Sequence, residues 1–265
     1  MRGNRVWVAL LLAGVFGAAN GLAAEPPAAL EPGAKDAWNG AYGGVAVSSG
    51  TARNDWTTSA PAPTVAGITL GANPSASFDA SGSRYSILLG NNWRLGNRGV
   101  WGVEAALGDG ERRSATRMMP GADISQGATH YTTAVPTASV TTNWDFNLRA
   151  RAGVLLSPQT LVYGAAGVAW QNRTLSASCD AGNICSIPHN ESVSQTTPGW
   201  TAGLGVEHHF LRGWRVRLEY RESDFGSFRH TFFTSGLVPV AQDDRFTADV
   251  KTHVREWGLG LIYGF

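Results

Sequence analysis

The chain has 265 residues, of which 33 are Gly and ten are Trp, with 15% charged residues and a formal net charge of +1. So many large aromatics with so little charge exclude a disordered chain, and the near-neutral balance excludes the basic field that a nucleic-acid partner needs. Two cysteines are too few for a disulfide scaffold or a Cys-rich zinc module.

Residues 1–24 read as a secretory signal. Arg2 and Arg5 precede an apolar run over 6–16, which is too short to span a bilayer. Gly17, Ala18, Ala19, Gly21, Ala23 and Ala24 follow, and cleavage fits after Ala23 or after Ala24. Residues 25–37 are rich in Pro and Ala and form a linker, so the folded region is 38–265. It contains no apolar run of about 18 residues. If this region crosses a membrane, it must do so as a closed barrel, because no other strand architecture satisfies every backbone group in hydrocarbon.

Eight segments with period-2 patterning are predicted at 38–48, 84–93, 100–109, 141–155, 161–171, 199–210, 214–224 and 253–265. The gaps at 94–99, 156–160 and 211–213 are tight, whereas those at 49–83, 110–140, 172–198 and 225–252 are long and read as loops. Alternating short turns and long loops is the pattern of a transmembrane barrel. In the third segment Trp101, Val103, Ala105 and Leu107 oppose Gly102, Glu104 and Gly108. In the fourth, Trp144, Phe146, Leu148, Ala150, Ala152 and Val154 oppose Asp145, Asn147, Arg149, Arg151 and Gly153. The fifth is rich in Ala and Gly on both faces, and its sides are not assigned. In the sixth, Trp200, Ala202, Leu204 and Val206 alternate with Thr201, Gly203, Gly205 and Glu207. The seventh sets Trp214, Val216, Leu218 and Tyr220 against Arg215, Arg217, Glu219 and Arg221. The last sets Trp257, Leu259, Leu261, Tyr263 and Phe265 against Glu256, Gly258, Gly260 and Gly264.

The same alternation would fit a soluble barrel with an apolar core. Four features favour the membrane form. Trp93, Trp101, Tyr163, Phe210 and Trp214 fall by the short turns, and Trp144 and Trp200 by the long gaps, as interfacial girdles do; Tyr263 joins them from the last segment. The polar face is rich in Gly, which suits a cramped lumen. It carries charges of both signs. The chain closes on an aromatic, Phe265, on the apolar face.

Trp38-Asn-Gly-Ala-Tyr-Gly-Gly at the start of the folded region resembles the opening of the small outer-membrane β-barrel family of Gram-negative bacteria, the porin-like outer-membrane immunogenic protein group allied to the OmpA-type barrel. Trp101-Gly-Val-Glu-Ala, Leu161-Val-Tyr-Gly-Ala-Ala-Gly-Val-Ala, Gly199-Trp-Thr-Ala-Gly-Leu-Gly-Val-Glu, Leu218-Glu-Tyr-Arg-Glu-Ser-Asp-Phe-Gly and Gly258-Leu-Gly-Leu-Ile-Tyr-Gly-Phe are similar to it as well. The resemblance covers the eight segments and none of the long gaps. It implies an all-β, eight-stranded, antiparallel up-and-down barrel in the outer membrane, with short periplasmic turns and four long extracellular loops. It implies outer-membrane lipid and the outer-membrane assembly machinery as partners, with Phe265 as the mark the machinery reads. It implies no single activity. The long gaps are longer here than is usual for the family.

On inward parity lie Glu104, Arg149, Arg151, Glu207, Arg215, Arg217, Glu219, Arg221 and Glu256. Buried charges persist when paired, and the planar fork of Arg binds carboxylates in bidentate fashion. Eight strands leave room for side chains and little else, which favours a plug over a charged pore. His208 and His209 are adjacent on one strand, point to opposite faces and cannot grip one ion together. Neither H-E-x-x-H nor G-x-S-x-G spacing occurs, and Asp243, Asp244 and Asp249 lack the pattern of a calcium loop. No metal or other cofactor is therefore expected. Cys179 and Cys185 are expected to form a disulfide in an oxidising compartment, the alternative being two free thiols. The expected role is structural and non-enzymatic, with loops that contact host or surface ligands. A narrow porin and a lipid-modifying barrel enzyme are the rivals.

Overall fold

A computed structural model describes residues 38–59, 73–110, 113–122, 136–180, 185, 187–234 and 244–265; the expected signal and linker lie outside these. Nine strands are present among them: β1 (Gly40–Ser59), β2 (Ser75–Leu95), β3 (Gly99–Gly110), β4 (Arg113–Met118), β5 (Thr137–Ser157), β6 (Thr160–Cys179), β7 (His189–Leu211), β8 (Trp214–Phe232) and β9 (Phe246–Gly264). The pairings are antiparallel; β1 pairs with both β2 and β9 and β3 with both β2 and β5, so the ring closes at the level of β3, while β4 pairs with β5 alone.

The ninth strand corrects the expectation of eight, and its origin is local. β3 pairs with β5 as far as Gly108↔Asp145, and β4 resumes on the same partner from Arg113↔Thr142. β5 shifts register between Thr142 and Asp145 at the same level. β3 and β4 are thus one wall interrupted by an irregularity, and the ring has eight walls.

A larger correction concerns the long gaps. Apart from β3 and β4, the strands run 19 to 23 residues, about twice what a tilted membrane-spanning strand needs. Much of 49–83, 110–140, 172–198 and 225–252 is strand. The expected start at Trp38 shifts as well, because the first strand begins at Gly40.

On β5 and β8 the inward parity flips once, between Thr142 and Asp145 and between Phe225 and Phe228, whereas on β9 it holds throughout while the chemistry inverts. On β9, outward Phe265, Tyr263, Leu261, Leu259 and Trp257 give way to Arg255, His253, Lys251 and Asp249. Its inward side runs from Gly264 and Gly260 through Glu256 to Val254, Val250, Ala248 and Phe246. The turn end is therefore an inside-out barrel with an apolar outer band. The loop end is a right-way-out barrel with an apolar core.

Trp56, Phe78, Met119, Val140, Leu175, Phe228, Phe232 and Phe246 fill that core. The Phe232 and Phe246 rings stack at 5.1 Å, and Trp56 lies 5.5 Å from Phe78. Outside it, hydroxyls pair across strands, as in Thr174 with Ser194 at 2.7 Å, Ser176 with Ser192 at 2.7 Å and Thr231 with Thr247 at 2.9 Å. Trp56→Ala should cost about 3–5 kcal/mol through the cavity it leaves. Limited proteolysis should then cut the loop-end section at lower denaturant than in wild type, while the banded section keeps its protease-resistant core.

Candidate functional site

The lumen at band level is crossed by one ion-pair network. Arg217 on β8 is bidentate to Glu104 on β3, at 3.0 and 2.5 Å. Among eight walls these two stand four apart, on opposite sides of the ring, so their contact spans the full width of the lumen. Arg217 also reaches Glu207 Oε1 through Nε at 3.0 Å. Arg149 bridges Glu104 at 2.5 Å and Glu219 at 2.6 Å, and Arg151 reaches Glu207 at 2.6 Å. Arg215 lies 3.4 Å from Glu207. Arg221 pairs with Glu256, and Glu256 also accepts from Ser48 at 3.1 Å. These groups are almost wholly shielded from solvent, so the contacts form where screening is weak.

Four further residues belong to this site beyond the nine charged residues named from the sequence. Tyr42 donates to Glu104 at 2.8 Å, and Tyr163 donates to Glu219 at 2.5 Å. Arg84 and Asp145 form a further buried pair. Asp145 is legible on the polar face of its segment. Tyr163 corrects the expected girdle: it faces the lumen rather than the interface, because β6 turns Leu161, Tyr163, Ala165, Gly167 and Ala169 inward. Two glycines make room for the phenol rings. A Cβ at Gly90 would lie 2.4 Å from the Tyr42 ring, and one at Gly205 would lie 2.5 Å from the Tyr163 ring.

Both ends of the network are closed. Toward the turns, Trp38 is fully buried against Val100, Leu155, Leu161 and Tyr163, and donates to the Pro158 carbonyl at 2.9 Å. The Arg215 guanidinium lies 5.2 Å from the Trp38 ring and 4.9 Å from that of Tyr42. Toward the loops stands the aromatic core. Beside the network a cavity of about 40 Å³ is lined by Ser48, Ser86, Arg149, Arg221 and Glu256. That is room for a few waters and too little for a solute path.

Outward, two aromatic rows bound the apolar band. At the loop side stand Tyr85, Trp144, Trp200 and Trp257; at the turn side stand Trp93, Trp101, Phe210, Trp214, Tyr263 and Phe265. Trp93 stacks on Trp101 at 4.4 Å, and Trp214 meets Tyr263 at 5.0 Å. Eight residue steps from Trp257 to Phe265 cover ~26 Å of strand, or about 20 Å of height after tilt; with the rings, this approaches the apolar band of ~25 Å that such barrels carry.

At the loop end, Cys179 closes β6 and is disulfide-bonded to Cys185. His189 pairs with Asp244 at 3.0 Å, and His230 with Glu191 at 2.8 Å. Glu191 also accepts from the Phe233 amide at 2.6 Å, so these pairs tie the rim together. His208 turns outward and pairs with Thr160 at 3.0 Å. Among the described residues no group of three or more His, Cys, Asp or Glu is placed to hold a metal ion.

Residues 9–265 match the family described as the outer membrane protein β-barrel domain. The 31 kDa outer-membrane immunogenic protein of Brucella melitensis is 28% identical over 193 residues, which cover 72% of this chain and 70% of that protein. The 22 kDa outer membrane protein of Rhizobium leguminosarum is 29% identical over 141 residues, covering 53% of this chain and 52% of its own. Among solved structures, Ail of Yersinia pestis, in complex with the heparin analogue sucrose octasulfate, aligns over 82% of this chain and 98% of its own at 11% identity, with a TM-score of 0.33. The outer membrane protease OmpT of Escherichia coli aligns over 86% of this chain and 97% of its own at 9% identity, with a TM-score of 0.39. At those values neither likeness carries an activity over to this chain.

Proposed function

From the premise that this chain belongs to the outer membrane protein β-barrel domain family, we propose that it serves in the outer membrane as a closed structural barrel. It contributes to membrane integrity and holds a folded, polar-coated section above the lipid. Loops at the tip of that section meet host or neighbouring surface molecules, and the assembly machinery reads its closing strand. The observation that carries this reading is the Arg217–Glu104 contact between opposite walls, since a solute path cannot pass where side chains already meet across the lumen.

The rival porin reading is separated by conductance. Purified protein in planar bilayers is expected to give no stable single-channel steps; regular ohmic steps from wild-type protein would replace this proposal with the porin. The lipid-enzyme rival is separated by mass spectrometry of lipid A with and without expression, which is expected to show no change. The histidine–carboxylate pairs at the rim join strand ends, His253 stands 3.6 Å from Glu222 and 3.8 Å from Asp224 on the outer face of the wall, and both cysteines are consumed in the disulfide.

A further inference from the structure

Above the plug, one buried cation lacks a counter-charge among the described residues. Arg173 projects inward from β6 and is fully buried. Its Nη1 donates to the Val250 carbonyl at 3.4 Å and to the Thr252 hydroxyl, and its Nη2 donates to the Gly226 carbonyl at 3.1 Å. All three acceptors are neutral, and Nε has no partner. The other buried arginines of the lumen behave differently: Arg84, Arg149, Arg151, Arg215, Arg217 and Arg221 each reach a carboxylate. Seven inward arginines thus face five carboxylates at the level of the plug, Glu104, Asp145, Glu207, Glu219 and Glu256, and one further buried carboxylate, Asp244, at the rim, where it pairs with His189. A guanidinium does not shed its proton in a protein, so it cannot escape the cost of burial by becoming neutral.

The polar groups around Arg173 are also incomplete. Thr142 is its cross-strand partner on β5, Gln171 precedes it by two residues on the same face, and Thr197 is the partner of Gln171 on β7. Thr142 Oγ1, Gln171 Oε1 and Thr197 Oγ1 are all buried without a hydrogen-bond partner. Below this layer, Asp145 is already engaged by Arg84 and Arg221. Above it, the Phe228 ring lies 6.0 Å from the guanidinium carbon.

We propose that this layer is a binding site for a small monovalent inorganic anion of the chloride class, held by Arg173 Nε and the Thr142 hydroxyl, with water linking it to Gln171 and Thr197. Two hydroxyls and an N–H supply donors, and the unpaired guanidinium supplies the charge. Closure by Phe228 above and the Arg84–Asp145 pair below favours a monatomic ion over phosphate or an organic acid.

The test uses full-length protein in detergent, with chloride exchanged for gluconate at constant ionic strength. Above its dissociation constant, an anion bound only by the folded state lowers the unfolding equilibrium constant about tenfold for each tenfold rise in free chloride. That dependence is expected in wild type and should vanish in Arg173→Gln. Because the variant could fail to fold, wild-type crystals grown in bromide provide the second measurement. Anomalous density within hydrogen-bond distance of Arg173 Nε supports the site. Water density alone at that position, or a chloride response unchanged in Arg173→Gln, overturns it.

Discussion

Arg217→Ala is expected to destabilise the folded barrel by about 3–5 kcal/mol, read as a lower urea midpoint in detergent. Removing the guanidinium takes away the bidentate contact to Glu104 and the Nε contact to Glu207. Glu104 keeps Arg149 at 2.5 Å, and Glu207 keeps Arg151 at 2.6 Å, so neither carboxylate is left bare and the loss belongs at the lower end of that range. Replacing Arg217 and Glu104 together by Met should not recover it, because Glu104 also accepts from Tyr42 and Arg149, and those buried donors would lose their acceptor. Conductance should stay closed in Arg217→Ala, because Trp38 seals the turn end and the aromatic core seals the loop end. A single-variant midpoint equal to wild type would show that the cross-lumen contact contributes nothing to stability.

The band is legible in the sequence because lipid imposes one rule on every wall. Outward residues must be apolar, and the period-2 contrast with Arg, Glu and Gly stands out on β5, β7, β8 and β9. The loop-end section follows the opposite rule. On β9, Phe246, Ala248, Val250 and Val254 alternate with Thr247, Asp249, Lys251, His253 and Arg255, which is an ordinary amphipathic strand. That pattern is present, but the Ser-, Thr- and Gly-rich composition of the stretches around it resembles loop. The hydroxyl pairs show why the composition misleads: Ser and Thr serve here as outward cross-strand partners rather than as turn formers. β4 is hidden for another reason, since its break depends on pairing with β5 and not on its own residues.

The lumen site is half legible. Parity places Glu104, Arg149, Arg151, Glu207, Arg217 and Glu219 on one side of the wall. It does not say which carboxylate meets which guanidinium, because the pairs form between walls far apart in sequence, as with Glu104 and Arg217. The tyrosines escape a sequence reading because an aromatic near a strand end looks interfacial whichever way it points. What separates Tyr163 from a girdle residue is the inward phase of β6 and the seat left by Gly205 on the neighbouring strand. Trp38 looks like a strand residue, whereas it caps the lumen from the turn before β1.

Deleting Gly258–Phe265 is expected to abolish the closed barrel both in cells and in detergent. These residues pair with β1 from Ser48↔Gly258 to Tyr42↔Gly264, and with β8 from Glu219↔Gly258 to Trp214↔Tyr263. Without them, β1 and β8 present unpaired N–H and C=O groups at the level of the apolar band, each costing several kcal/mol in hydrocarbon. Phe265→Ala separates closure from recognition. Phe265 is the most exposed large hydrophobic on the described surface, at 81%, and its ring meets only Tyr263 among the described aromatics, at 5.6 Å. Its backbone amide donates to the Ala41 carbonyl at 3.0 Å, a bond the substitution leaves in place. The loss should be ~1–3 kcal/mol, which a closed ring survives. Purified Phe265→Ala should therefore keep the heat-dependent gel mobility of a folded barrel. If the terminal ring is what the assembly machinery reads, the same variant in cells should accumulate as unfolded protein in the periplasm. A deletion variant that reached the outer membrane with heat-dependent mobility and protease resistance would place β9 outside the ring and undo the closure between β1 and β9.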